Sequence, residues 1–294
     1  MRYSLENNWD NLYEIILRGP LTIIYSAKKE TLTNEIEEFS NLLIEKFAIH
    51  SLSFFHLSKG IIEHSKSGEK IKMMGYDLFT VNSTLRTLME CYATFNNIFI
   101  EPKCYDELEF RFLLWKLDGL FDNERFDIDE NNFVNVRDFI KRDKQELVET
   151  RRRFENCNFY SKLSASEIGK VYHPDKSRIN WRFLIDDDLK ITILNITDVI
   201  KHTCKTKEFI NNYRYTSTHT HTNYLSIEHF KQIRGKAISD EYVNLKTKLA
   251  IYLTCLLIAD ICVIDKNAKE EFQKLPKELI DYITRISTEI QRQS

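Results

Sequence analysis

Only 7 glycines and 4 prolines occur in 294 residues, and that scarcity constrains the fold more than any other property of the chain. Sandwiches, barrels and dinucleotide-binding sheets need many tight turns, and turns draw on the positive φ of glycine or the fixed φ of proline. A chain poor in both is expected to run in long helices joined by short polar connections. Hydrophobic residues make up 43% against 29% charged, enough to fill a core. The expected class is all-α, one multi-helix array. Residues 1–75 are set apart as an N-terminal helical segment or small subdomain, and 76–294 form the helical core.

Tyr76 to Ile100 carries the clearest stripe, with Leu78, Val81, Leu85, Leu88, Met89, Tyr92, Phe95 and Phe99 on one face and Pro102 as the stop. Arg86 and Glu90 lie four apart beside it. Asn11–Leu17 reads as a helix ending at Gly19-Pro20, and Leu21–Tyr25 fits strand or helix. Thr33–Phe47, Tyr105–Leu120, Val136–Asn156, Leu189–Tyr213, Ser239–Ile264 and Leu275–Ile290 read as further helices. Gly60–Lys72, Asp122–Asn135 and Tyr172–Lys176 read as loops or turns, and Asp186-Asp187-Asp188 as charges at a helix N-terminus. The run Leu249–Ile264 is apolar but short for a bilayer and holds Asp260, so it reads as a buried core helix, with no membrane partner.

A formal charge of -2 and a pI near 6.5 give no global basic field. Contact with nucleic acid then has to come from a local patch, such as the Arg151-Arg152-Arg153 run. The six cysteines form no CxxC pair and read as buried, reduced thiols of a cytoplasmic protein. The polar start, Met1 to Asp10, lacks the charged and apolar regions of a signal peptide.

Chemistry concentrates in Tyr213-Arg214-Tyr215-Thr216-Ser217-Thr218-His219-Thr220-His221-Thr222-Asn223. An imidazole titrates near neutrality and can move a proton at a 2'-hydroxyl or a leaving oxygen. A guanidinium can hold the developing charge of a phosphorane. Arg214 with His219 or His221 is therefore a candidate pair for metal-free RNA cleavage, with Ser217 and Thr218 as hydrogen-bonding groups. Two other readings stand beside it. His219-x-His221 has the spacing of a strand-borne metal pair, and the same residues, with Asn223, can cap helices and fill a polar seam.

The order of motifs resembles a bacterial family of uncharacterised all-helical proteins. Its elements are the Arg-x-x-x-Glu of Arg86 and Glu90, a Trp-containing segment at Trp181, and the Tyr-Arg-x-x-Ser-x-x-x-His of Tyr213, Arg214, Ser217 and His221, followed by Leu225. The Arg-to-His spacing also resembles the signature of the HEPN superfamily, helical proteins that include metal-independent endoribonucleases of toxin and anti-phage systems. That resemblance implies Arg214 as phosphate stabiliser, His219 or His221 as proton carrier, and a homodimer. The resulting expectation is a metal-independent endoribonuclease or RNA-binding effector of stress response or phage defence. It would have no cofactor and no metal, and Arg86, Glu90, Tyr213, Thr218 and Asn223 would support the site. The alternative is a non-catalytic helical module that binds a protein partner.

Overall fold

The computed structural model describes residues 9–29, 34–64, 67, 70–75, 77–124, 134–173, 178–220, 223–233 and 240–292. The fold is all-α, with three two-stranded antiparallel pairs added to the helices. The chain divides into two compact units, Met1–Phe95 with Ile200–Ser294, and Asn96–Val199.

The first unit begins with α1 (Trp9–Ile16), a π-helical turn (Leu17–Leu21) and α2 (Thr22–Lys29). Pro20 lies inside the π turn, where one extra residue already offsets the backbone ladder and a missing N–H is tolerated. The helix expected to stop at Gly19-Pro20 therefore resumes, and Thr22 Oγ1 donates to the Leu17 carbonyl at 2.9 Å. Helix α3 (Glu35–Leu57) starts where the Asn34 carboxamide accepts the Glu37 N–H at 3.1 Å. It buries Ile36, Leu43, Phe47 and Phe54.

Strands β1 (Ile61–His64) and β2 (Lys70–Gly75) pair antiparallel where a loop was expected. Their apolar runs are short and embedded in charge, so alternation was not visible. Asp77 Oδ1 then accepts the N–H groups of Phe79 and Thr80, both at 3.1 Å, and starts α4 (Leu78–Phe95). The stripe Leu78, Val81, Leu85, Leu88, Met89, Tyr92 and Phe95 is buried as its spacing required.

The region expected to be one helix over Leu189–Tyr213 is broken. It forms a strand, then α9 (Ile196–Cys204) and α10 (Lys207–Thr220), with Lys205 at φ 52° between the two helices. Helices α11 (Tyr224–Ile233), α12 (Asp240–Ile264), α13 (Lys266–Gln273) and α14 (Lys277–Arg292) follow. By length and composition α12 could cross a membrane, and 67% of its apolar 18-residue window is buried within the fold. It packs on α1, α4, α13 and α14. Its Asp260 is buried and accepts the Tyr92 phenol at 3.0 Å, which satisfies the one acidic group in its apolar run.

In the second unit α5 (Tyr105–Glu124) packs on α6 (Val134–Asn156), with Lys116 bound to Glu146. Helices α7 (Asn158–Lys162) and α8 (Ala165–Val171) lead to the pair β3 (Tyr172–His173) and β4 (Arg178–Ile179), then to β5 (Phe183–Ile185) and β6 (Ile191–Ile193). Asp186-Asp187-Asp188 forms the β5–β6 turn, not a helix start. Asp186 Oδ1 accepts the N–H groups of Asp188 at 3.0 Å and Lys190 at 2.9 Å, the short-range bonding that suits Asp to turns. Arg111, 1% exposed, pairs with buried Glu107 at 2.8 Å and donates to the carbonyls of Asn97 and Phe183. All six cysteines are free; Cys91, Cys157, Cys204 and Cys255 are buried, whereas Cys104 is exposed.

Candidate functional site

Helix α10 begins with the Thr206 hydroxyl accepting the Phe209 N–H at 3.4 Å. Phe209, Tyr213, Thr216 and His219 are buried at spacings of four and three residues, the pattern of one helix face. That face lies on α4. Tyr213 meets Glu90, while His219 meets Phe79 with ring centres 5.5 Å apart, so the two helices run antiparallel.

The face assignment separates several of the expected site residues. Five residues turn an α-helix by about 140° beyond one full turn, so Arg214 is exposed while His219 is buried. Ser217 Oγ donates to the Tyr213 carbonyl at 2.9 Å and Thr218 Oγ1 to the Arg214 carbonyl at 3.4 Å. These hydroxyl protons serve the helix's own backbone. Asn223 caps α11, its carboxamide oxygen accepting the Ser226 N–H at 2.9 Å. His221 lies outside the described residues, as do Pro174–Ser177 and most of the polar connection after α5.

Three expected residues do come together. Glu90 Oε1 accepts from Arg86 Nε and from the Tyr213 phenol, each at 2.8 Å. Burial opposes the Arg86 charge, but Glu90 more than offsets it and the guanidinium pKa is raised. Burial, then Glu90, pushes the Tyr213 phenol up to about 12. Trp181, the second element of the motif order, is buried in the second unit. In that unit Arg152 pairs with Glu149 at 2.8 Å. Arg152 and Arg153 line an open cleft of about 390 Å³ that Glu109 also lines.

A polar cluster surrounds His219 and contains residues that sequence reasoning did not single out. His219 Nε2 is 3.4 Å from His229 Nδ1 on α11. The Tyr215 ring lies 4.7 Å from the His219 ring and stacks with His229 at 5.8 Å. From α12, Lys246 Nζ stands 4.8 Å from the Tyr215 ring centre and 5.0 Å from that of Tyr242, and donates to Asn212 Oδ1 at 2.6 Å. The Tyr242 phenol donates to Asn82 Oδ1 at 3.0 Å. Burial, with the His229 and Lys246 charges, pulls the His219 pKa down to about 4, and burial alone pulls Lys246 down to about 8. One signal was readable: Lys246 stands between Val243 and Ala250 on the apolar face of α12, where a lysine is out of place.

His219 and His229 are two metal-ligating side chains. Among the described residues no group of three or more His, Cys, Asp or Glu is assembled. The cluster offers imidazole, amine and phenol groups, the chemistry of proton transfer and of binding a negatively charged oxygen.

A family model described as a family of unknown function (DUF5677) matches residues 52–236, more than half of the chain. The chain belongs to this family. No curated protein and no solved structure matches it. The DUF5677 segment contains Arg86, Glu90, Tyr213, Tyr215, His219 and His229, whereas Tyr242 and Lys246 lie beyond its end.

Proposed function

We propose that the protein is a HEPN-like, metal-independent endoribonuclease or RNA-binding effector, acting as a cytoplasmic homodimer in stress response or phage defence. One observation carries this reading: His219 and His229 meet at 3.4 Å beside the buried Lys246, which among the described residues pairs with no carboxylate. Metal-free RNA cleavage needs a base to take the 2'-hydroxyl proton and an acid to return one to the leaving 5'-oxygen. It also needs a cation to hold the phosphorane between those steps. The 2'-oxygen attacks phosphorus, the bond from phosphorus to the 5'-oxygen breaks, and a 2',3'-cyclic phosphate forms. His219 and the partly exposed His229, in contact through their ring nitrogens, supply the two proton carriers of such a reaction. Arg214, on the exposed face of α10, suits contact with the RNA backbone.

The test is cleavage of total cellular RNA in EDTA by wild type and by Arg214→Ala, His219→Ala, His221→Ala and His229→Ala. Cleavage that survives the chelator and falls at least about a hundredfold in a histidine variant supports the reading. A wild type that neither cleaves nor binds RNA overturns it.

A second reading, a non-catalytic helical interaction module, is favoured by α11. Tyr224 is 78% exposed, and Leu225 and Ile227 are more than half exposed on the same short helix. In this reading the back-bonded hydroxyls and the Asn223 cap serve packing alone, and Leu225→Asp with Ile227→Asp would abolish partner or self-association without changing stability.

A further inference from the structure

We propose that the seam between α4, α10 and α12 seats a phosphate oxyanion, with Lys246 as its charged anchor and Asn82 as a neutral donor. This rests on the ribonuclease reading only for the source of the phosphate, an RNA phosphodiester.

Three observations carry it. Lys246 is 1% exposed, yet among the described residues its ammonium bonds only the neutral Asn212 carboxamide, and no carboxylate lies within ion-pair distance. Burying an ammonium ion without a counter-charge is costly, and buried charges in folded proteins are paired or bind ions. Asn82 is fully buried, and its Oδ1 is taken by the Tyr242 phenol. That bond fixes the carboxamide, and Asn82 Nδ2 is left with no acceptor among the described residues. His219, 5% exposed, likewise has Nδ1 without a partner.

These groups belong to one locus. Tyr242 bonds Asn82 and lies against Lys246, and Tyr215 lies against Lys246, Tyr242 and His219. The one carboxylate of α4, Glu90, is already bound by Arg86 and Tyr213. Water could meet the open donors, but it would leave the lysine charge unbalanced. A phosphate oxyanion does both, accepting from Lys246 and Asn82 while its negative charge neutralises the ammonium. The partly exposed Tyr215 and His229 form the outer edge of the cluster, the side from which a phosphodiester would enter.

The test is a titration of the purified chain with inorganic phosphate, followed by phosphorus NMR, with acetate at equal ionic strength as the control. Wild type is expected to bind phosphate saturably and not acetate. Lys246→Met should weaken phosphate binding more than about tenfold, and Lys246→Arg should keep most of it. Asn82→Leu provides a second variant that leaves the lysine in place and should weaken binding by a smaller factor. Absence of saturable phosphate binding, or binding unchanged in Lys246→Met, overturns the proposal. RNA cleavage by a wild type that binds no phosphate at Lys246 would leave the ribonuclease reading standing and remove the seat. Phosphate binding lost in Lys246→Met, in a chain that neither cleaves nor binds RNA, would do the reverse.

Discussion

The Tyr213 phenol donates at 2.8 Å to Glu90, across 123 residues of sequence, and so pins α10 to α4 through the oxygen that Arg86 also holds. Tyr213 is buried while Glu90 keeps about a third of its side-chain surface, so the bond lies between the buried and the solvated regimes. Tyr213→Phe keeps the ring packing and removes only the hydroxyl. We expect it to lower stability by about 1 kcal/mol, seen as a lower urea midpoint with an unchanged slope. A midpoint equal to that of the wild type would mean that ring packing alone holds the two helices together.

How legible the fold was can be judged from α4 and from the region after it. The α4 stripe was readable because eight apolar residues repeat at helical spacing, and the structure buries those within the helix. The short strands were not, because pairs such as Tyr172 with Ile179 join strands of two residues each and leave no periodic trace. Asp186 illustrates the same limit. Its charge suited a helix start, but Leu189, at φ 59°, closes a hairpin there. At the site, Arg86 and Glu90 were visible as an i,i+4 pair, and Tyr213 was found through the motif. The partners of His219 were not visible, since His229 and Lys246 reach it from separate helices. Helix phase also decided what spacing could not, placing Arg214 outward and His219 inward on the same α10.

The second unit turns on the buried pair of Arg111 and Glu107. Arg111→Met leaves the Glu107 carboxylate buried, with the Lys103 N–H as its remaining bond among the described residues. It also removes a donor from the Phe183 carbonyl, which keeps the Asn97 carboxamide N–H at 3.3 Å. A loss of roughly 3–5 kcal/mol is expected. Lysine at this position should restore little, because it cannot reproduce the planar set of donors. Adding Glu107→Gln to Arg111→Met should recover part of the loss by removing the stranded charge. Scanning calorimetry on the three variants checks the order; a double variant no better than Arg111→Met would place the cost in the carbonyls instead.

Acid should weaken the first unit through His219. Its folded pKa of about 4 lies below the ordinary value of 6.5, so between those pH values the unfolded chain takes up a proton that the folded chain refuses. The His219 contribution is therefore present in full above about pH 6.5 and declines as pH falls toward 4. His219→Gln has no proton to take up, so its stability should fall less than that of the wild type over this window. Urea midpoints at pH 7, 5.5 and 4.5 give the comparison. A constant difference between the two proteins would show that the ring is protonated as readily in the fold as in water.

The opposite end of the pH scale tests Lys246. Burial holds its folded pKa near 8 against an ordinary 10.5. Below about pH 8 both states carry the charge, and the folded state bears the cost of burying it. Between about 8 and 10.5 the folded amine is neutral while the unfolded one stays protonated, so this burden lifts as pH rises through that window. Lys246→Met removes the ammonium and keeps a side chain of similar length. Without phosphate it should be more stable than the wild type at pH 7, by roughly 2 kcal/mol, and the gap should narrow as pH approaches 10. Taking the difference between the two proteins cancels the tyrosines and cysteines that titrate in the same range. Saturating phosphate at pH 7 should close the gap from the other side, because it supplies the counter-charge that the fold withholds. A methionine variant less stable than the wild type at every pH would mean that Asn212 and the two tyrosine rings already compensate the ammonium, and the phosphate seat would lose its premise.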